Sequence, residues 1–196
     1  MPRLVKLFMV LMACGSAGSA FSQAVEDPVV YTRLERALLV PEQVEVLKLR
    51  RDGLREWPAE LASFPNLRVL DLGHNKLTEL PNDLTAYSKL ERLVLTRNKL
   101  DSLQGSIGDL KALRELLVGN NQIYYVTERI GELKELEYLE LWSNNIYYLP
   151  NSVAELTNLK EVDIRAIQMG EAYQMAIKDL LPPSAKLRIS PSCNCD

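Results

Sequence analysis

The stretch LRVLDLGHNKL, residues 67–77, decides how this chain folds. It returns after 23 residues as LERLVLTRNKL (90–100), then as LRELLVGNNQI (113–123) and LEYLELWSNNI (136–146). Leu67, Leu90, Leu113, Leu136 and Leu159 keep one step, and Val44 extends it backwards. The first copy, VEVLKLRRDGL (44–54), has Asp52 where the others have Asn. The last, LKEVDIRAIQM (159–169), has Ile167 there, so the pattern decays at its end. A period of this length is the mark of a repeat architecture.

The alternating apolar residues at the heart of each copy predict a short strand with one buried face. One such strand cannot bury its leucines alone, so the copies must stack. Stacked strands, ~4.8 Å apart, make a parallel sheet. Leu77, Leu80 and Leu84 continue the unit and turn inward to the same core, as in TELPNDL and YYLPNSV. This return limb is wider than the strand, so the stack is expected to curve with the sheet inside. Asn75, Asn98, Asn121 and Asn144 fall where the strand ends and the chain bends. An amide there can satisfy backbone groups on both sides that the turn leaves unpaired.

The pattern L-x-x-L-x-L-x-x-N-x-L followed by LP resembles the leucine-rich repeat family, in its short bacterial form, over residues 44–169. The flanks resemble those of small exported repeat proteins and lipoproteins of Bacteroidetes-like bacteria. The resemblance implies an α/β leucine-rich repeat solenoid: a right-handed horseshoe of about six repeats, with a parallel concave sheet and helical N- and C-terminal caps. Residues 25–43 would form the N-terminal cap. Within it, Leu34, Ala37 and Leu38 share one helical face over residues 31–39, and Pro41 ends the helix. Residues 170–190 would form the C-terminal cap, with a helix over 171–181 stopped by Pro182 and Pro183 and then a terminal strand. Residues 191–196 read as a loose tail. Its Cys193 and Cys195 are two thiolates without further ligands and make a weak metal site.

Residues 1–24 are read as a targeting segment. Arg3 and Lys6 precede the apolar run LFMVLMA, and small residues follow, the order of a secretory signal peptide. The run is too short to span a bilayer. Cleavage after Ala20 or Ala24 gives a secreted protein. The alternative takes LMAC as a lipoprotein signal over residues 1–13, with Cys14 lipidated and membrane-anchored. Either way the protein is exported, to the periplasm, outer membrane, cell surface or medium.

A formal charge of -3, which becomes more negative when Arg3 and Lys6 are removed, argues against nucleic acid as a partner. Three cysteines are too few for a disulfide scaffold. The single histidine, His74, would sit between Arg51 and Arg97, which oppose its protonation. No serine or cysteine is placed as a nucleophile beside it, and no phosphate loop or metal-ligand spacing occurs. The chain is read as no enzyme, with no catalytic, cofactor or metal site.

Residues 23 apart are lateral neighbours on the sheet. The column Glu45, Arg68, Glu91, Arg114, Glu137, Lys160 alternates in sign and reads as a structural ladder. Other exposed columns run from Val46, Lys48, Arg50 and Arg51. They give a basic side (Lys48, Arg50, Arg51, Arg92, Arg97), an apolar and aromatic centre (Val94, Leu117, Tyr138, Trp142) and an acidic side (Glu140, Glu161, Asp163). Aromatics over a glycine-opened floor with arginines at the rim have the composition of an interaction hot spot. Candidate partner-binding residues are therefore Arg92, Val94, Arg97, Leu117, Tyr138, Glu140 and Trp142. The tyrosine pairs Tyr124–Tyr125 and Tyr147–Tyr148 are expected to pack ring on ring between units. The other reading makes them a sticky patch.

The leading expectation is a non-enzymatic protein-binding module of the bacterial cell envelope, monomeric, with its partner on the concave sheet. The alternatives are a structural envelope lipoprotein without a specific ligand, or a carbohydrate-binding surface protein using Tyr138 and Trp142.

Overall fold

The computed structural model describes residues 27–190; the targeting segment expected over residues 1–24, with Cys14, and the expected tail with Cys193 and Cys195 lie outside them. Three-residue strands recur at the repeat step: β2 (Val46–Lys48), β3 (Val69–Asp71) and β4 (Arg92–Val94). They continue as β6 (Glu115–Leu117), β8 (Tyr138–Glu140) and β9 (Glu161–Asp163). A two-residue strand β1 (Val30–Tyr31) precedes them and β10 (Lys186–Arg188) follows them. All eight form one parallel sheet in the order β1-β2-β3-β4-β6-β8-β9-β10. From β2 to β9 the register pairs each residue with the one 23 positions on, as in Leu70 with Leu93 and Leu93 with Leu116. A smaller parallel pair, β5 (Ser102–Leu103) with β7 (Tyr125–Val126), lies outside that sheet.

The return limbs are 3₁₀ turns: Ala59–Ser63, Thr85–Tyr87, Gly105–Asp109, Glu128–Glu132 and Asn151–Glu155. Their sequence explains the choice. Apolar residues fall every third position, as in Leu61, Phe64, Leu67 and Ile130, Leu133, Leu136, and all of these are buried. A helix with three residues per turn puts such a series on one inward face, whereas 3.6 per turn would rotate it off the core.

Strand and return-limb leucines share one continuous core, with Leu47, Leu70, Leu93, Leu116 and Ile164 fully enclosed. The first two units also enclose aromatics. Trp57 meets Tyr87 edge-on at 5.7 Å and 70°, and its Nε1 donates to the Tyr87 hydroxyl at 2.9 Å. Burial raises the Tyr87 phenol above its ordinary pKa despite that bond.

The asparagines work as the turn requires. Asn98 Nδ2 donates to Leu95 O at 2.9 Å in its own unit and to Leu72 O at 3.0 Å in the one before. Its Oδ1 accepts from Leu77 N at 3.0 Å. Asn75, Asn121 and Asn144 repeat the arrangement. Each amide thus ties two units together.

The N-terminal segment departs from expectation. The helix over 31–39 contracts to α1 (Leu34–Ala37); Ala37 is buried, but Leu38 is exposed. The residue before a proline avoids the helical region, and Val40, before Pro41, sits at φ -142. That leaves room for one turn. The first repeat is instead extended by β1, whose Val30 and Tyr31 pair with Val46 and Leu47. At the other end α2 (Glu171–Leu180) buries Ile177, and β10 then joins the sheet.

Candidate functional site

The sheet face away from the core is built from two residues per strand. One column runs Val46, Val69, Arg92, Glu115, Tyr138, Glu161, and the other Lys48, Asp71, Val94, Leu117, Glu140, Asp163. The flanking strands add Val30 to the first and Lys186 and Arg188 beside Glu161 and Asp163. A concavity of about 620 Å³ opens on this face, with a floor of Val30, Val46, Val69, Val94 and Leu117 and a rim that includes Lys48, Arg50, Arg92 and Glu140. A second, of about 270 Å³, lies between Leu117, Tyr138, Glu140 and Arg188.

Of the candidate residues, Arg92, Val94, Leu117 and Glu140 line the larger concavity, and Leu117, Tyr138 and Glu140 the smaller. Tyr138 is 40% exposed. Trp142 is half-buried and, with Arg165 and Ala166, borders an apolar hollow of about 330 Å³. Its Nε1 donates to Glu140 Oε1 at 2.5 Å, and its ring lies on Gly119, where a Cβ would overlap the indole. Val94 corrects the expectation of an exposed residue: at 9% exposure it is floor rather than contact surface.

Arg97 stands at the turn beyond the strand in a left-handed conformation, φ 61. The equivalent residues Arg51, His74, Asn120, Ser143 and Ala166 all share it, at φ 63, 58, 54, 53 and 52. Nothing in Arg, Ser or Ala announces such a backbone, which glycine and asparagine adopt most readily. This column is set by the repeat geometry and not by local preference.

The two charged sides are unequal. On the basic side Arg92 pairs with Glu115 at 2.7 Å and Arg50 approaches Asp71 at 3.7 Å. Among the described residues Lys48, Arg51 and Arg97 form no ion pair. Desolvation, then Arg50, Arg97 and Arg51, hold the His74 pKa below its ordinary value, Asp71 opposing them. On the side expected to be acidic, two of the three carboxylates are neutralised. Glu161 binds Arg188 at 2.5 Å, Asp163 binds Arg165 at 2.6 Å, and Glu140 is engaged by Trp142. The cations responsible come from β10 and from the turn after β9, at the decaying end of the repeat. Burial would raise the Asp163 carboxyl, but the hydrogen bonds from Arg165 and its charge hold it below the usual range.

The alternating ladder forms as ion pairs: Arg68 with Glu45 (3.7 Å) and Glu91 (2.8 Å), and Glu137 with Arg114 (3.6 Å) and Lys160 (2.5 Å). Such exposed pairs are each worth about 0–1 kcal/mol and serve register more than stability.

The leucine rich repeat family model matches residues 42–100 and 65–123. Residues 42–123 are leucine-rich repeats. A leucine-rich repeat protein of Leptospira interrogans is 32% identical at TM-score 0.66, over 69% of this chain and 34% of that one. Internalin C2 of Listeria monocytogenes is 24% identical at TM-score 0.63, over 76% and 62% respectively, a likeness of fold. The leucine-rich repeat ectodomain of a plant membrane receptor kinase from Arabidopsis thaliana, solved with CASPARIAN STRIP INTEGRITY FACTOR 2, is 26% identical at TM-score 0.60, over 81% and 19%. The chain spans about a third of the Leptospira protein and less than two thirds of either other neighbour. No curated protein matches it. Leucine-rich repeat proteins are generally protein-interaction scaffolds. Among the described residues no cluster of His, Cys, Asp and Glu could hold a metal ion, and no helix is long and apolar enough to cross a membrane.

Proposed function

We propose that this protein is a non-enzymatic protein-interaction module of the bacterial cell envelope that binds its partner on the concave sheet face. The observation that carries the reading is the seating of Trp142: an indole laid on Gly119 and bonded to Glu140, which lines the apolar-floored concavity, at the end of the strand that exposes Tyr138. Aromatic anchors flanked by arginine dominate binding energy at protein interfaces. Arg92, Leu117, Tyr138, Glu140 and Trp142 supply the contact surface, with Val94 beneath them. Lys48, Arg51 and Arg97 form no ion pair among the described residues and give that surface a positive rim. Such a rim favours a partner whose docking surface is acidic.

Export rests on the targeting pattern of residues 1–24, and anchoring on lipidation of Cys14. Palmitate labelling that disappears with Cys14→Ser supports the anchor, and an unlabelled protein excludes it. The binding face is tested by interaction proteomics with the wild-type protein and a Tyr138→Ala, Trp142→Ala variant of equal thermal stability. A partner captured by the first and lost by the second supports the reading. An unchanged set of captured proteins defeats it.

A further inference from the structure

The tyrosine doublets do not pack as expected. Tyr124, Tyr125, Tyr147 and Tyr148 are 56%, 41%, 60% and 52% exposed. The ring pair found among the described residues is Trp57–Tyr87, elsewhere in the stack. No hydrogen bond between described residues uses the four hydroxyls, whereas the Tyr173 hydroxyl donates to Leu149 O at 3.1 Å. Burial of neighbouring rings therefore does not explain the doublets.

The repeat supplies its own control. The positions of Tyr124 and Tyr147 are Arg55, Thr78 and Asp101 in the first three units. Those of Tyr125 and Tyr148 are Glu56, Glu79 and Ser102. Two residues earlier, Lys76 and Lys99 give way to Gln122, Asn145 and Gln168. The same turn is thus charged in the first three units and free of ionic side chains in the fourth and fifth. The turn is closed alike in both, since Lys99 N bonds Leu77 O and Gln122 N bonds Leu100 O at 2.9 Å each, although Tyr125 also pairs with Ser102 in β7 and β5. The change from charged to uncharged side chains leaves exposed rings on two consecutive units, beside exposed amides that already touch one another through Gln168 Nε2 and Asn145 Oδ1 at 3.3 Å.

From this juxtaposition we infer a second binding surface, on the ridge formed by Tyr124, Tyr125, Tyr147 and Tyr148, that takes a neutral polysaccharide. A sugar ring offers an apolar C–H face, which an exposed tyrosine ring accepts, and a rim of hydroxyls. Carboxamides both donate to and accept from such hydroxyls. The ridge lacks the arginine that marks protein hot spots. It also lacks the lysine and arginine that anionic polymers and anionic lipid surfaces demand. This surface is separate from the sheet face and does not depend on the reading given to it above.

The test is retention of the purified protein on immobilised xylan, cellulose and dextran, with heparin as a charged control. The expected result is retention on at least one neutral polymer that is unchanged between about 0.15 and about 1 M salt. The Tyr124→Ala, Tyr147→Ala variant should lose about tenfold in affinity, while a Lys89→Ala variant, changed at an exposed return-limb position, binds as wild type. Because the four rings are exposed, an unchanged melting temperature confirms that the first variant is folded. Absence of retention on all three neutral polymers, equal retention by the ridge variant, or retention confined to heparin would each overturn the inference.

Discussion

Gly119 and Trp142 are one structural unit: the indole occupies the space that any side chain at position 119 would fill, and Glu140 fixes it there through Nε1. The two residues are lateral neighbours 23 apart, so one repeat leaves a gap that the next one closes. A Gly119→Ala change should expel the ring. In a Trp57→Phe background, which leaves one tryptophan, the emission of Trp142 is expected to shift to the red. Gly119 does not adopt a positive φ, so the same change in a Trp142→Ala background should cost little. A large loss of stability in that background would show that the glycine serves something other than the indole.

The asparagine ladder predicts a cooperative penalty. Asn98→Leu leaves Leu77 N without its partner, while Leu72 O and Leu95 O each lose one of two amide donors and keep Asn75 Nδ2 and Asn121 Nδ2 respectively. Orphaned buried groups of this kind cost about 1–3 kcal/mol. Urea denaturation should show that loss as a lower midpoint with an unchanged slope.

The left-handed column makes the sign of a substitution predictable. At Ser143, φ 53, glycine relieves the conformation and valine worsens it. Ser143→Gly is expected to stabilise by up to about 1 kcal/mol, and Ser143→Val to destabilise by about 1–2 kcal/mol. Thermal melts of the two variants, read against wild type, check both directions.

Much of this was legible beforehand, and the limits have physical causes. The 23-residue step assigned every strand neighbour from Val46 to Glu161, because side chains on stacked parallel strands inherit the spacing of the repeat. Strand β1 was not legible, since two residues carry no period and only pairing with β2 defines them. Neutralisation of Glu161 was missed because Arg188 lies outside the repeat and only the pairing of β10 with β9 places it there, and that of Asp163 because Arg165 folds back onto its own strand. The exposed-looking Val94 is floor because Asp71 and Leu117 flank it in register. The left-handed turn has no signal in Arg51, Arg97 or Ala166.

On the side opposite the sheet, Glu132 accepts from Arg129 Nε at 2.8 Å and from Lys111 Nζ at 2.6 Å, which pulls its carboxyl down to about 2. A carboxyl whose folded pKa lies below its unfolded value contributes stability that is present above the unfolded value. The contribution fades as pH falls from about 4.5 toward about 2. Melting temperature should therefore drop across that window. Glu132→Gln should lower stability at neutral pH and shallow the acid limb; an acid limb of unaltered steepness would remove Glu132 from the account.

The central claim is that the face carrying Tyr138 is the one that meets a partner, and site-specific crosslinking in the native envelope tests it most directly. A photoreactive phenylalanine derivative is placed at position 138 on the sheet and, separately, at position 89, which is exposed on a return limb. The account predicts a discrete protein adduct from position 138, abolished by Trp142→Ala, and none from position 89. Adducts from position 89 alone, or no adduct from position 138, would contradict it.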